Sequence, residues 1–106
     1  MNATTIIVTE NARRYLGQFV NHFSHKLPFV RHENNERGEV EFPIGLCTLD
    51  ADATRLSIIV NAGNAEDLEK LKGAVDRHLL RFAFREELAI AWDNKARDND
   101  QLQEAY

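Results

Sequence analysis

His22 and His25 stand three residues apart in the stretch HFSHK, within a segment whose apolar spacing reads as helix. Two imidazoles at that separation have Cβ atoms about 5–6 Å apart, close enough to share a ligand. A zinc-type site needs three or four donors. His78, on a second helical segment, is the residue that could complete a His22, His25 and His78 set, with water or a carboxylate as the fourth group. Against this, His22 lies at the border of the apolar stripe of its helix and His25 falls towards the polar face. The plainer reading is an exposed pair near a helix C-terminus, where imidazolium and Lys26 suit the negative end of the dipole.

A second constellation is cationic. Arg77, Arg81 and Arg85 recur every four residues and share one flank of the second helix. Surface pairing with nearby acids is the ordinary use of such a row. A planar guanidinium also suits a carboxylate or phosphate, which it grips through charge-assisted hydrogen bonds. Joined to the end of the first helix, this gives a candidate anion site of His25, Lys26, His78, Arg81 and Arg85. His78 falls on the apolar side of its helix and must find a partner there, expected to be a strand carbonyl or hydroxyl.

Other reactive types are less promising. Cys47 sits in an apolar strand and reads as a small hydrophobe, with no histidine beside it in sequence. Glu86-Glu87 and the Asp50/Asp52 turn read as solvated surface. The chain carries no phosphate-binding loop, dinucleotide fingerprint or helical zinc-protease motif, which favours binding over catalysis and implies no cofactor.

The elements that position these residues follow from periodicity. Thr5 to Thr9 is β-branched and short, hence a strand, with Thr9 or Asn11 as helix cap. Tyr15, Leu16, Phe19, Val20 and Phe23 form one helical stripe, which Pro28 ends. Four short strands are then expected at 29–33, 39–42, 46–49 and 56–60, with Pro43 and Gly45 marking a bulge, bend or edge. Asn64 and Asp67 open a second helix, whose stripe is Leu68, Leu71, Val75, Leu79 and Phe82 and which ends near 84–86. Leu88 to Trp92 reads as a last strand. The expected fold is a two-layer α+β domain over residues 1–93. It has a mainly antiparallel sheet of about six strands, ordered β-α-β-β-β-β-α-β, and two helices on one face. A polar tail occupies residues 94–106.

Bulk properties narrow the partners. Thirteen basic against seventeen acidic residues give a net charge of −4, which disfavours nucleic acid as a partner. One cysteine excludes an internal disulfide and fits a reducing compartment. No apolar run approaches the roughly 20 residues of a bilayer span. MNATTIIVTE has neither the basic nor the long apolar region of a signal peptide, so a cytoplasmic location is expected.

Three segments together carry a family resemblance: ARRYLGQFVNHFSHK at 12–26, VEFPIGLCTLDA at 40–51 and RHLLRFAFREELAIAW at 77–92. In these the chain resembles the bacterial domain-of-unknown-function family 2218 across residues 5 to 93. The resemblance implies no activity. It brings forward His25, Lys26, Gly45, Cys47, His78, Arg81, Phe82, Arg85 and Glu86. Some members of the family resemble a module attached to siderophore-interacting flavin reductases, which implies a link to iron or siderophore handling. The expectation is a non-enzymatic domain for a small anionic molecule or partner protein. The alternatives are the three-histidine metal site and a homodimer formed through a sheet edge or face.

Overall fold

The structure, a computed structural model, describes residues 1–83 and 85–93. In chain order the elements are β1 (Asn2–Val8), α1 (Ala12–Phe23), β2 (Phe29–Arg31), β3 (Arg37–Phe42), β4 (Gly45–Ala51), β5 (Arg55–Ala62) and α2 (Ala65–Phe82). A single 3-10 turn at Glu33–Asn35 joins β2 to β3. The five strands form one antiparallel sheet in the order β1-β5-β4-β3-β2. The meander expected from 29 to 60 is therefore present, and β1 closes its far edge against β5.

Strand alternation decides which face the helices cover. Ala3, Val40, Cys47, Leu49, Leu56, Ile58 and Val60 point to one side and are fully buried. Leu16, Phe19 and Val20 of α1 and Leu71, Val75 and Leu79 of α2 bury the same side from above. Both helices thus sit on one face, as their single stripes require. The other face is open, and Ile6, Val8, Val30 and Ile59 are exposed there. Among the described residues no helix is long and apolar enough to cross a membrane.

Three expectations change. Pro43 and Ile44 are not a bulge but the two-residue turn of the β3–β4 hairpin, since Phe42 pairs with Gly45. The strand expected at Leu88 to Trp92 is an extended segment with a single bridge, Thr4 to Asp93, on the β1 edge. Its alternation is real, and Leu88, Ile90 and Trp92 pack against the core. Side chains rather than a ladder hold it: Thr5 Oγ1 donates to the Ala91 carbonyl at 2.7 Å, and Trp92 Nε1 to Asp76 at 2.8 Å. Helix α2 stops at Phe82, short of 84–86. The tail at 94–106 lies outside the described residues.

Two close approaches demand glycine. A Cβ on Gly17 would collide with the Asn35 amide, which the left-handed pair Asn34 (φ 66°) and Asn35 (φ 54°) turns in against α1. A Cβ on Gly45 would run into the Asn61 carbonyl of the neighbouring strand. Backbone cannot yield as a flexible side chain can. Gly45→Ala is expected to cost about 1–3 kcal/mol in chemical denaturation. Gly63→Ala, with nothing within 4 Å of the new methyl, should stay within about 0.5 kcal/mol.

Candidate functional site

The helices α1 and α2 run antiparallel across the sheet, and two sets of contacts fix their pairing. At one end His22 meets His78, with ring centroids 4.8 Å apart and planes tilted by 53°. At the other, Tyr15 meets Glu86, just beyond α2. Phe82 lies between, 5.9 Å from His22 and 6.4 Å from His78.

The histidine end rests on an aromatic cluster. Phe23 touches Phe19, His22, Phe42 and His78, each at 4.8–5.0 Å between centroids. The partner of His78 is not a strand group, as expected, but its own helix: Nδ1 donates to the Ala74 carbonyl at 2.7 Å. A carbonyl only accepts, so Nδ1 carries the proton and Nε2 is the nitrogen left to accept a bond. The His22 pKa is lowered, first because the ring is desolvated among Phe23, His78 and Phe82, although the residue as a whole is exposed. His78, Arg81, Lys26 and His25 then depress it further.

The structure sets His78 against His22, the residue that sequence reasoning had assigned only to the metal alternative, and Arg81, Lys26 and His25 lie close enough to act on the same ring through their charge. Arg85 goes elsewhere, to the opposite end of the helix pair. The three-histidine centre does not form: among the described residues no group of three His, Cys, Asp or Glu side chains could hold a metal ion. His25 lies in the turn after α1 and is exposed, while His22 and His78 face each other across the seam.

Arg85 lines a cavity of about 570 Å³ with Asn11, Arg14, Tyr15, Phe82 and Glu86. Glu86 is the residue sequence reasoning misjudged as solvated. Its Oε1 accepts from Tyr15 at 2.5 Å and Asn11 at 3.2 Å, and its Oε2 from Thr9 at 2.8 Å. Thr9 and Asn11, the expected helix caps, are diverted to it, and Asn11 makes no capping bond of its own. These donors, Tyr15 foremost, hold the Glu86 carboxyl below the usual carboxylate range. Burial, then the same bond, pushes the Tyr15 phenol up. Between the two ends Gln18 shares the flank of α1 with Tyr15 and His22. Its Oε1 is buried without a hydrogen-bond partner among the described residues, an arrangement that costs about 1–3 kcal/mol until something pairs with it.

A second cavity, of about 560 Å³, is lined by Arg13, Arg37, Arg55, Glu36, Asp50 and Asp52. Its charges answer one another: Arg37 bonds Asp50 at 3.3 Å and Arg13 faces Glu36 at 3.9 Å. The Asp52 carboxylate is taken up by the Thr54 and Arg55 amides of its own turn. This cavity is charge-balanced. Cys47 is fully buried, and burial pushes its thiol far up, away from thiolate chemistry.

Residues 4–93 match the model of DUF2218, described as an uncharacterized protein conserved in bacteria. The chain belongs to this family. The match takes in both ends of the seam, from Thr9 and Tyr15 to His78 and Glu86. The NMR structure of PA4090 from Pseudomonas aeruginosa is similar at 32% identity, over 87% of this chain and 94% of that one, with a TM-score of 0.73. Among curated proteins none matches this sequence.

The Glu86 geometry sets a stability test for this family member. Glu86→Ala strands three donors, and partial exposure moderates the penalty to about 1–2 kcal/mol. The folded pKa is lowered, so the contribution is complete above the ordinary glutamate range of about 4.3 and is lost as pH falls through the folded value. The variant and the parent should therefore differ in melting temperature at pH 7 and converge once pH has fallen through the folded value.

Proposed function

We propose that this chain is a non-enzymatic binding domain that holds a small anion at the seam between α1 and α2. One observation carries the reading: His22 packs against His78 with ring centroids 4.8 Å apart, and the groups that depress its pKa after desolvation, His78, Arg81, Lys26 and His25, are basic, in a chain of net charge −4. Like charges brought together cost free energy, and an anion is the partner that turns the cost into attraction. Arg81 offers the planar fork, Lys26 a mobile ammonium, and His78 a ring whose free orientation is removed by its bond to Ala74. Iron carried by acidic chelators fits both this chemistry and the siderophore link of the family resemblance. Ferric siderophores, citrate and phosphate are the first probes. Calorimetry should show heat with at least one, and Arg81→Ala should weaken it by about tenfold or more. No heat with any of them on folded protein would remove the proposal.

The pH dependence has a definite sign. The folded pKa of His22 lies below its ordinary value, so the unfolded chain binds the proton more readily. Stability is whole above about pH 6.5 and declines as pH falls through the folded value. A bound anion opposes this decline. Thermal melts between pH 8 and 5 in a cationic buffer should fall with acidification, and sulfate, whose charge is constant over that range, should reduce the fall. His22→Gln should flatten both effects.

The open sheet face supports a second reading, self-association, because Ile6, Val8 and Ile59 are exposed on neighbouring strands β1 and β5. Sedimentation should then show a dimer that Ile6→Lys dissociates. A monomer at millimolar concentration would end this version.

A further inference from the structure

Residues 88–93 run along the β1 edge of the sheet, and β2 forms the edge on the other side. We infer that the β2 edge, with the groove beside it, docks an extended basic segment of a partner protein, which adds to the sheet as a further strand. This inference is independent of the anion reading above and uses none of its residues.

The backbone register opens the edge. Two bonds bracket the pairing of β2 with β3: the Glu41 amide donates to the Pro28 carbonyl and the His32 amide to the Arg37 carbonyl, both at 2.9 Å. Bonded pairs alternate along an antiparallel ladder, so Val30 also turns its amide and carbonyl to β3. Phe29 and Arg31 then turn theirs outward. All three residues of β2 are exposed, Phe29 at 47% and Val30 at 48%. An uncovered edge with apolar side chains is a template for strand addition.

The side chains choose the partner. Val30 pairs with Glu39, and Glu41 with Leu46, so these four share the open face of the sheet. With Pro28 and Phe29 they line a groove of about 240 Å³. Glu39 and Glu41 stand two residues apart on β3, about 7 Å along the strand. Neither carboxylate has a hydrogen bond or ion pair among the described residues, whereas Arg37, the next side chain on that face, is taken by Asp50. The described lining is thus apolar apart from two uncompensated negative charges, and its complement is an apolar stem with a cationic head. A strand added to β2 sets alternate side chains beside Val30 and Pro28, and the residue between them beside Phe29. Lysines at the two outer positions lay their stems over Val30 and Pro28 and bring their ammonium groups to Glu39 and Glu41. The matching segment reads Lys-apolar-Lys. A second copy of this chain paired through β2 fits less well, since it brings four carboxylates onto one face.

The probe is the acetylated and amidated peptide Thr-Lys-Val-Lys-Thr, titrated into the isotope-labelled chain and followed by amide shifts. The largest shifts should fall at Phe29 and Arg31. Glu39→Gln combined with Glu41→Gln should weaken the peptide about fivefold or more and leave the melting temperature in place. Exchanging both lysines of the peptide for glutamate should weaken it about tenfold or more. Methylating its valine amide, which removes the donor to the Phe29 carbonyl, should cost about threefold or more. The inference is overturned if the lysine peptide leaves Phe29 and Arg31 unshifted at millimolar concentration, or if the glutamate peptide binds equally. Full affinity of the methylated peptide, or equal binding of cadaverine, also overturns it and makes the groove a site for small organic cations. A dimer in sedimentation that Val30→Lys dissociates gives the edge to a second copy instead.

Discussion

The carboxylate of Glu86 holds together parts of the chain that share no secondary structure. Thr9 and Asn11 lie in the turn from β1 to α1, Tyr15 is in the first half of α1, and Glu86 follows the end of α2. Its bonds join the start of the fold to its end. Helix α1 has no acidic residue in its first turn and no side-chain cap, and Glu86 places negative charge close to that terminus from the other end of the chain. The same anchor directs residues 88–93 along the β1 edge, where they shield a strand that would otherwise present unpaired backbone.

With that end fixed, the rest of the seam has little freedom. Both helices must turn their apolar stripes to one face of the sheet, and their antiparallel pairing is locked at Tyr15 and Glu86. One α1 flank then meets one α2 flank, and His22 arrives opposite His78. The aromatic cluster of Phe19, Phe23, Phe42 and Phe82 gives this meeting a well-packed floor. Packing therefore imposes a contact that lowers the His22 pKa, by desolvation first and by the neighbouring basic groups after it.

How much of this was legible depended on how local each cause is. The stripes of both helices and the alternation from β3 to β5 are local patterns, and they gave the elements, the layers and the covered face. The Asn64 cap was readable too, since Asn64 accepts from the Asp67 amide three residues on. Leu88 to Trp92 alternates like a strand, but a ladder needs a partner in register, and Thr4 meets it only at Asp93. Glu86 looked solvated because its donors are 71, 75 and 77 residues away, and no spacing rule connects them. For the histidines, the helical wheel placed His22 at the edge of its stripe, which was sound. It could not show that the edge of α1 faces the edge of α2. Nor could it show that Arg81 and Arg85, one turn apart, serve opposite ends of the seam.

The proposed binding role asks the individual groups to hold a ligand, not to transform one. A general base works best with a pKa near the operating pH, yet the three donors on Glu86 drive its carboxyl the other way. Tyr15 is pushed further from phenolate, and the Cys47 thiol is sealed in the core far from thiolate. His78 donates from Nδ1 to a backbone carbonyl, which fixes its orientation. The anion reading proposed above asks only for donors, and guanidinium and ammonium groups such as those of Arg81 and Lys26 are donors without an acceptor atom.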